Sequence, residues 1–440
     1  MERKIEKKIE LWKNSKNRKP LIIHGARQVG KTYTALTAGK KYYKNTVYFN
    51  MEDSREITDI FERDFSPERI IRELSLRSGE SIFPSDTLII FDEIQASERA
   101  LLSLKYFCEN APQYHIIAAG SLLGVALNRE KYSFPVGKVD MITMYPMDFE
   151  EFLWACGKRD FAQTIRVYAS KSEPFSLHDT ALDLYKTYLL VGGMPKVVMD
   201  YLETKDFNFV NAAQKNINDS YIADMTKYAS PHETVKIMNA YHSIPAQLAK
   251  ANKKFQYKVI KSGARAYEYE VPIEWLNASG VINKCVKVRE GKLPLSAYME
   301  NDSFKIYLTD TGLLCSKFAV PANAVLSDSP AFQNFKGALT ENYVCFCLKC
   351  AGFQPYYWES NGKAEVDFVV QDKEGNIVPV EVKAADHVKA KSLGVFMERY
   401  QIPYAIRVSA KNFGFENQIK SVPLYAVFTL DSLSPEDPGF

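Results

Sequence analysis

Residues Leu21–Thr34 read LIIHGARQVGKTYT, and few folds accommodate such a run. Leu21-Ile22-Ile23 has the character of a short buried strand. The pattern GxxxxGK[ST] follows as Gly25-Ala26-Arg27-Gln28-Val29-Gly30-Lys31-Thr32, and Tyr33–Lys41 reads as a helix. Each piece suits a phosphate. The two glycines let the backbone curl so that its N–H groups converge, and the helix that follows adds the positive end of its dipole. In this pattern Lys31 reaches the β- and γ-phosphates, while the Thr32 hydroxyl holds Mg²⁺. The expected ligands are therefore ATP and Mg²⁺. A chance match at a glycine turn would lack the strand before and the helix after.

Downstream, apolar runs alternate with helical segments. Thr46–Phe49, Thr87–Phe91, His115–Ala119 and Met141–Met144 are the expected strands, which argues for an α/β fold with a parallel sheet covered on both faces. The Thr87–Phe91 strand delivers Asp92-Glu93 at its carboxyl end, where such sheets bind ligands. Asp92 is expected to hold Mg²⁺, and Glu93 to orient and polarise the attacking water. The bland alternative is a solvated acidic pair. Gly120-Ser121 ends the next strand, and the Ser121 hydroxyl suits contact with the water or the γ-phosphate. An ordinary turn also uses Ser after Gly.

The chain has 440 residues, enough for two to four domains. Apolar residues make up 46% and charged residues 25%, the balance of a folded chain. A net charge of +3 is small for this length, so nucleic-acid affinity needs a local patch. The N-terminus, MERKIEKKIE, is amphipathic and lacks an apolar signal region, and no run is apolar and long enough to span a membrane. Seven cysteines, an odd number, fit a reducing compartment. A cytoplasmic location without membrane contact is the expectation. Cys345, Cys347 and Cys350 do not share one helical face and have no nearby His, so they read as buried thiols rather than a zinc site.

Residues 158–230 read as a helical link, broken by Gly192-Gly193-Met194-Pro195. Residues 231–320 then show helices at Glu233–His242, Pro245–Ala251 and Tyr267–Leu276, followed by strands at Val281–Val288 and Phe304–Leu308. This is the order of a winged helix-turn-helix. Lys250, Lys253, Lys254, Lys258, Lys261 and Arg265 crowd one stretch with no acid between them, which suits DNA backbone contact. Against it, charge runs are often merely solvated, winged helices also bind proteins, and Glu268, Glu270 and Glu274 repel phosphate.

Residues 321–440 form the expected last domain. Glu341 falls on an apolar helical stripe, which is costly unless it is paired, protonated or metal-bound. Asp367 lies on a strand at Glu365–Val370, and Glu381-x-Lys383 on a strand at Ile377–Lys383. Glu341, Asp367, Glu381 and Lys383 together resemble the PD-(D/E)XK nuclease pattern, in which carboxylates hold Mg²⁺ and the lysine steadies water or developing charge. Glu-x-Lys alternation also occurs on plain exposed strands. Pro379 is awkward for a central strand, and a slip of one residue would separate Glu381 from Asp367. A helix at Asp386–Tyr400 and a strand at Tyr404–Val408 complete the expected layout.

The segments PLIIHGARQVGKT, TLIIFDEIQ, YPMDFEEFL, LLVGGMPKVV and FKIYLTDTGLL resemble prokaryotic AAA-type ATPases whose C-terminal half is a domain of unknown function. The resemblance implies a P-loop ATPase domain over residues 1–157, then the helical link, the winged helix and the nuclease-like domain. It also implies a Gly-Arg before the fifth strand, where this chain has Gly137-Lys138. Lysine supplies a point charge without the bidentate fork of arginine, and Arg129 is a poor substitute, so slow intrinsic turnover is expected. Three functions are in competition: an ATPase coupling nucleotide state to a DNA-contacting, nuclease-like region; a DNA nuclease with ATP as a switch; and a nucleotide-gated module that binds a protein partner. An oligomer is compatible with each.

Overall fold

The apolar runs of the first 145 residues form five parallel strands: β1 (Leu21–His24), β2 (Asn45–Asn50), β3 (Thr87–Asp92), β4 (His115–Gly120) and β5 (Asp140–Thr143), in the order β2-β3-β4-β1-β5. In this computed structural model the described residues are 1–121, 134–250, 253–360, 364–384 and 391–435. They divide into two units. Of the described residues, one comprises Met1–Tyr145 with the short stretch Ala278–Gly280, and the other comprises Pro146–Asn277 and those of 281–435.

In the first unit β3 and β4 are buried along their whole length, as strands covered on both faces must be. Phe49, Phe61 and Phe91 meet on one face, Phe61 edge-on to Phe91 at 5.6 Å. The helices on that face start on well-formed caps: Ser54 accepts from Glu56 N, and Ser66 accepts from Arg69 N ahead of Pro67. The helix Lys31–Tyr42 leaves directly from the glycine-rich loop.

The second unit begins with helices at Phe149–Ala155, Arg159–Lys171, His178–Val191, Pro195–Thr204 and Phe207–Tyr228. Phe149 packs on Tyr188 and Phe428 of the same unit, so most of YPMDFEEFL belongs to the second unit. The glycine pair is a packing corner. A Cβ on Gly193 would sit 1.9 Å from the Met147 carbonyl oxygen, Met147 N donates to Gly193 O, and Asp310 accepts from Gly193 N at 2.6 Å. Asp310 also caps the helix Thr311–Phe318 through Leu313 N, so one carboxylate ties the corner to that helix start.

Two of the helices expected in 231–251 are one: the helix Pro231–Leu248 runs through Pro245. Proline removes one hydrogen bond, while burial of Ile244, Gln247 and Leu248 around it holds the last turn. Short and longer helices follow at Tyr257–Ile260 and Ala266–Ala278. The strands β6 (Ile282–Val288) and β7 (Met299–Leu308) pair antiparallel, but they do not close off a separate domain. β6 also pairs in parallel with β8 (Tyr356–Ser360). With β9 (Ala364–Gln371), β10 (Ile377–Lys383), β11 (Ala405–Ser409), β12 (Gly414–Glu416) and β13 (Ile419–Pro423), they make one eight-stranded sheet, ordered β12-β13-β11-β10-β9-β8-β6-β7. The sheet crosses the division drawn from the sequence at residues 320 and 321. Pro379 lies inside β10, a central strand, one residue before the ladder with β11 begins at Val380. Of the helix expected at 386–400, residues 391–400 are described and helical, and residues 386–390 lie outside the described residues. Trp358, Phe396 and Tyr400 anchor that helix to the sheet.

Candidate nucleotide site and the acidic cluster of the second unit

The loop between β1 and the helix Lys31–Tyr42 takes backbone conformations that suit glycine. Gly25 has φ of 147° and Gly30 a φ of 97°, and a Cβ on Gly25 would lie 2.1 Å from the Met144 carbonyl oxygen. Gln28 also adopts positive φ, at 66°, while Ala26 and Val29 are buried beneath the loop and Arg27 is half-buried above them. Arg3 braces the loop from the N-terminal segment by donating to Val29 O at 2.9 Å and Tyr145 O at 2.7 Å. Lys31 is 7% exposed and its Nζ donates to Gly25 O and Ala26 O, at 3.0 and 2.7 Å. Neutral carbonyls are weaker partners for an ammonium than a phosphate anion is, so a phosphate entering the loop wins the lysine.

Thr32 lies in the first turn of the helix, and its Oγ1 donates to Asp92 Oδ2 at 2.7 Å. The two groups expected to serve Mg²⁺ are thus adjacent although 60 residues separate them. Asp92 is buried at the end of β3. Its Oδ1 accepts from Glu93 N at 3.0 Å, and its Oδ2 accepts a second bond, from Tyr48 OH, at 2.8 Å. Burial and the Asp92 carboxylate hold the Tyr48 phenol above its usual range, so it stays a donor. Glu93 adopts a left-handed conformation (φ 48°, ψ 42°), unusual for a residue with a side chain, and its Oε2 accepts from Gln95 Nε2 at 2.6 Å. Ser121 is buried and directly follows β4, the strand between β1 and β3. The loop, the acidic pair and Ser121 therefore leave neighbouring strands at their carboxyl ends. Lys138 pairs with Glu109 at 2.9 Å, and Arg129 lies outside the described residues.

The sequence gives no direct sign of Tyr48, Gln95 or Arg3. Tyr48 is the most accessible of the three, because alternation in Thr46–Phe49 places it on the opposite face from the buried Val47 and Phe49.

The second unit gathers a different set of charges. Glu341, 4% exposed on the helix Pro330–Cys350, accepts from Lys253 Nζ through Oε2 and from both Lys305 Nζ (3.1 Å) and Tyr307 OH through Oε1. Lys305, 1% exposed in β7, also pairs with Glu365 at 2.6 Å. Asp367 accepts from Val382 N at 2.8 Å, and Glu381 pairs with Lys383 at 2.7 Å. Burial alone would raise the Glu341 carboxyl, but Lys253 and Lys305 outweigh it and hold the carboxyl below its usual range. Asp367 is raised, by burial first and then by the charge of Glu341. The β9–β10 ladder ends with Val380 opposite Phe368, next to Glu381 and Asp367 in the two strands.

These residues share a neighbourhood but do not fit a divalent cation. Glu341 already has three donors, two of them ammonium groups, Glu381 is paired with its own lysine, and burial and the charge of Glu341 raise the Asp367 carboxyl. Among the described residues, no group of three or more His, Cys, Asp or Glu side chains is placed to hold a metal. The structure also corrects the basic stretch. Lys253 is bound to Glu341 instead of facing solvent, and Lys250 donates to Gln256 Oε1 at 3.1 Å. Lys254 is half-buried and engaged, whereas Lys258, Lys261 and Arg265 are exposed. Lys305 and Tyr307 were legible only as alternate residues of FKIYL sharing a face. Cys345 and Cys347 are buried thiols.

A five-stranded parallel sheet with a GxxxxGKT loop after β1 and an acidic pair after β3 defines a P-loop nucleotide-binding domain. Residues 17–153 match a family model described as an AAA domain. Two further stretches match domains of unknown function: residues 182–324 (DUF8612) and residues 336–427 (DUF4143). No curated protein matches the chain. Similar solved structures include the Walker-type ATPase PABY2304 of Pyrococcus abyssi, at 15% identity and a TM-score of 0.43, covering 72% of this chain and 95% of that one. The ORC1 protein of Aeropyrum pernix, solved in complex with DNA, is 12% identical with a TM-score of 0.31, covering 74% of this chain and 91% of that one. The ORC2 protein of Aeropyrum pernix, solved as ADPNP–ADP complexes, is 11% identical with a TM-score of 0.33, covering 74% and 88%. Among the described residues no helix is long and apolar enough to cross a membrane.

Proposed function

We propose that the chain is an ATP-binding protein and Mg²⁺-dependent ATPase whose nucleotide state governs the second unit. The observation that supports this most is the contact of Thr32 Oγ1 with Asp92 Oδ2 at 2.7 Å beside a loop that already holds the Lys31 ammonium. Thr32 and Asp92 would hold Mg²⁺, which supplies charge neutralisation on the phosphates. Lys31 exchanges its two carbonyl partners for phosphate oxygens. Glu93 takes the role of the group that orients the attacking water, and the Ser121 hydroxyl contacts the water or the γ-phosphate. Lys138, already paired with Glu109, supplies no arginine-like fork, so basal turnover is slow. Phosphate release from ATP tests the reading: the wild type should release phosphate only with Mg²⁺ present, and Lys31→Ala should release none. Equal rates for the two proteins would refute it.

Within this reading, DNA contact falls to Lys258, Lys261 and Arg265, which are exposed, rather than to Lys253. Contact there is to the phosphate backbone and weakens with salt. Reversing the charge of the three residues should abolish a shift in a low-salt retardation assay, and an unchanged shift would remove DNA from the proposal. Nuclease chemistry is not part of it, because the second unit's carboxylates are compensated by lysines of the same chain.

A further inference from the structure

Asp92 accepts three hydrogen bonds, and one of them comes from outside the loop and the strand that define the nucleotide site. Oδ1 is fixed by Glu93 N, and Oδ2 is shared between Thr32 Oγ1 at 2.7 Å and Tyr48 OH at 2.8 Å. Tyr48 belongs to β2, the edge strand beside β3, where it lies in parallel register with Ile90. Ile90 and Asp92 are two residues apart on β3 and so share a face, and the tyrosine side chain runs along that face to the end of the neighbouring strand. The ring is 39% exposed, so its position does not come from core burial. What holds the phenol in place is the carboxylate.

We propose that Tyr48 is a positioning residue for the cation of the nucleotide site: it fixes the plane of the Asp92 carboxylate so that Asp92 and Thr32 meet Mg²⁺ together. A carboxylate at the end of a strand otherwise turns about its terminal torsion, and each bond from a fixed donor narrows that motion. Glu93 N restrains one oxygen. Thr32 restrains the other from the loop side, donating its proton to Asp92 while a lone pair stays available to the cation. The Tyr48 hydroxyl adds a second donor to the same oxygen from another strand, and its backbone is fixed by the β2–β3 ladder. Tyr48→Phe keeps the ring and removes only the donor. The expected loss is in the response to Mg²⁺ and not in the grip of the loop on phosphate, which depends on Lys31 and backbone N–H groups.

This assignment rests on the nucleotide-site reading above. Equilibrium binding of a fluorescent ATP analogue, measured over a Mg²⁺ titration and again in excess EDTA, tests it without reference to turnover. Tyr48→Phe should need about threefold to tenfold more Mg²⁺ for half-maximal binding, the net worth of one ordinary hydrogen bond, with its affinity in EDTA unchanged. Its thermal midpoint should match the wild type. An unchanged Mg²⁺ requirement would overturn the assignment. So would an equal loss of affinity with and without Mg²⁺, which marks a structural role. If the wild type bound the analogue in neither condition, the nucleotide-site reading itself would fall and Tyr48 with it.

Discussion

At the scale of single residues, Lys305 shows why a charge in an apolar strand need not be a catalytic group. It is almost fully buried in β7, and it is kept charged by Glu341 and Glu365, whose attraction exceeds the cost of desolvation. Removing one partner of a buried pair leaves the other uncompensated. Lys305→Ala should therefore destabilise the second unit by about 3 kcal/mol, the low end for such losses because Glu341 keeps Lys253 and Tyr307. A urea midpoint equal to the wild type would contradict this. His115 gives the first unit a pH dependence. It is buried at the start of β4 against the Tyr43 hydroxyl at 2.7 Å, and burial, with help from Arg18 and Lys13, lowers its pKa to about 4. The unfolded chain, near 6.5, binds the proton first. Stability is then whole above about pH 6.5 and is lost as pH falls towards 4, because the unfolded state takes up protons the folded state refuses. Melting between pH 7 and pH 5 should show this slope in the wild type and a flatter one in His115→Gln; equal slopes would exclude the histidine. The phosphate loop was legible because its strand, glycines, lysine and helix are contiguous. Tyr48, Gln95 and Lys305 were not, since each acts through a partner on another strand or turn, and a sequence alone does not give strand neighbours.

At the scale of elements, the glycine corner and the joined sheet are the instructive cases. Gly192–Pro195 announced a break, but its reason lies in chains far away in sequence: Gly193 packs against the Met147 backbone and donates to Asp310. A side chain there meets main chain, which cannot swing aside. Gly193→Ala should cost at least about 3 kcal/mol, the top of the usual range for overpacking, and show as a lower thermal midpoint of the second unit. A midpoint within experimental error of the wild type would mean that the corner relaxes. The helix Pro231–Leu248 was read as two because Pro245 is locally unfavourable, whereas burial of the surrounding residues overrides that preference. The pairing of β6 with β8 was hidden for a related reason. Parallel strands have no turn between them to mark their partnership, and a long stretch of helix and link separates these two. A hairpin that looked like the wing of a small domain is instead the edge of a larger sheet.

At the scale of the whole molecule, the chain combines a P-loop domain that matches an AAA-domain model with a second unit that matches two models described as domains of unknown function. Of the residues that resemble the nuclease pattern, Glu341 pairs with Lys253 and Lys305, and Glu381 pairs with Lys383. Plasmid or linear DNA incubated with the protein and Mg²⁺ or Mn²⁺ should remain intact with and without ATP. Cleavage that disappears in Asp367→Ala would contradict the charge-compensated reading. The central claim is that the loop, the acidic pair and Ser121 form a hydrolysing site and not merely a binding one. Glu93 decides it, because in the proposed site it would orient the water while contributing little to the grip on phosphate. The most direct measurement compares ATP binding and single-turnover hydrolysis in the wild type and Glu93→Gln. The account predicts unchanged ATP affinity with hydrolysis reduced at least about a hundredfold, as loss of a general base requires. Hydrolysis by Glu93→Gln at the wild-type rate would contradict it.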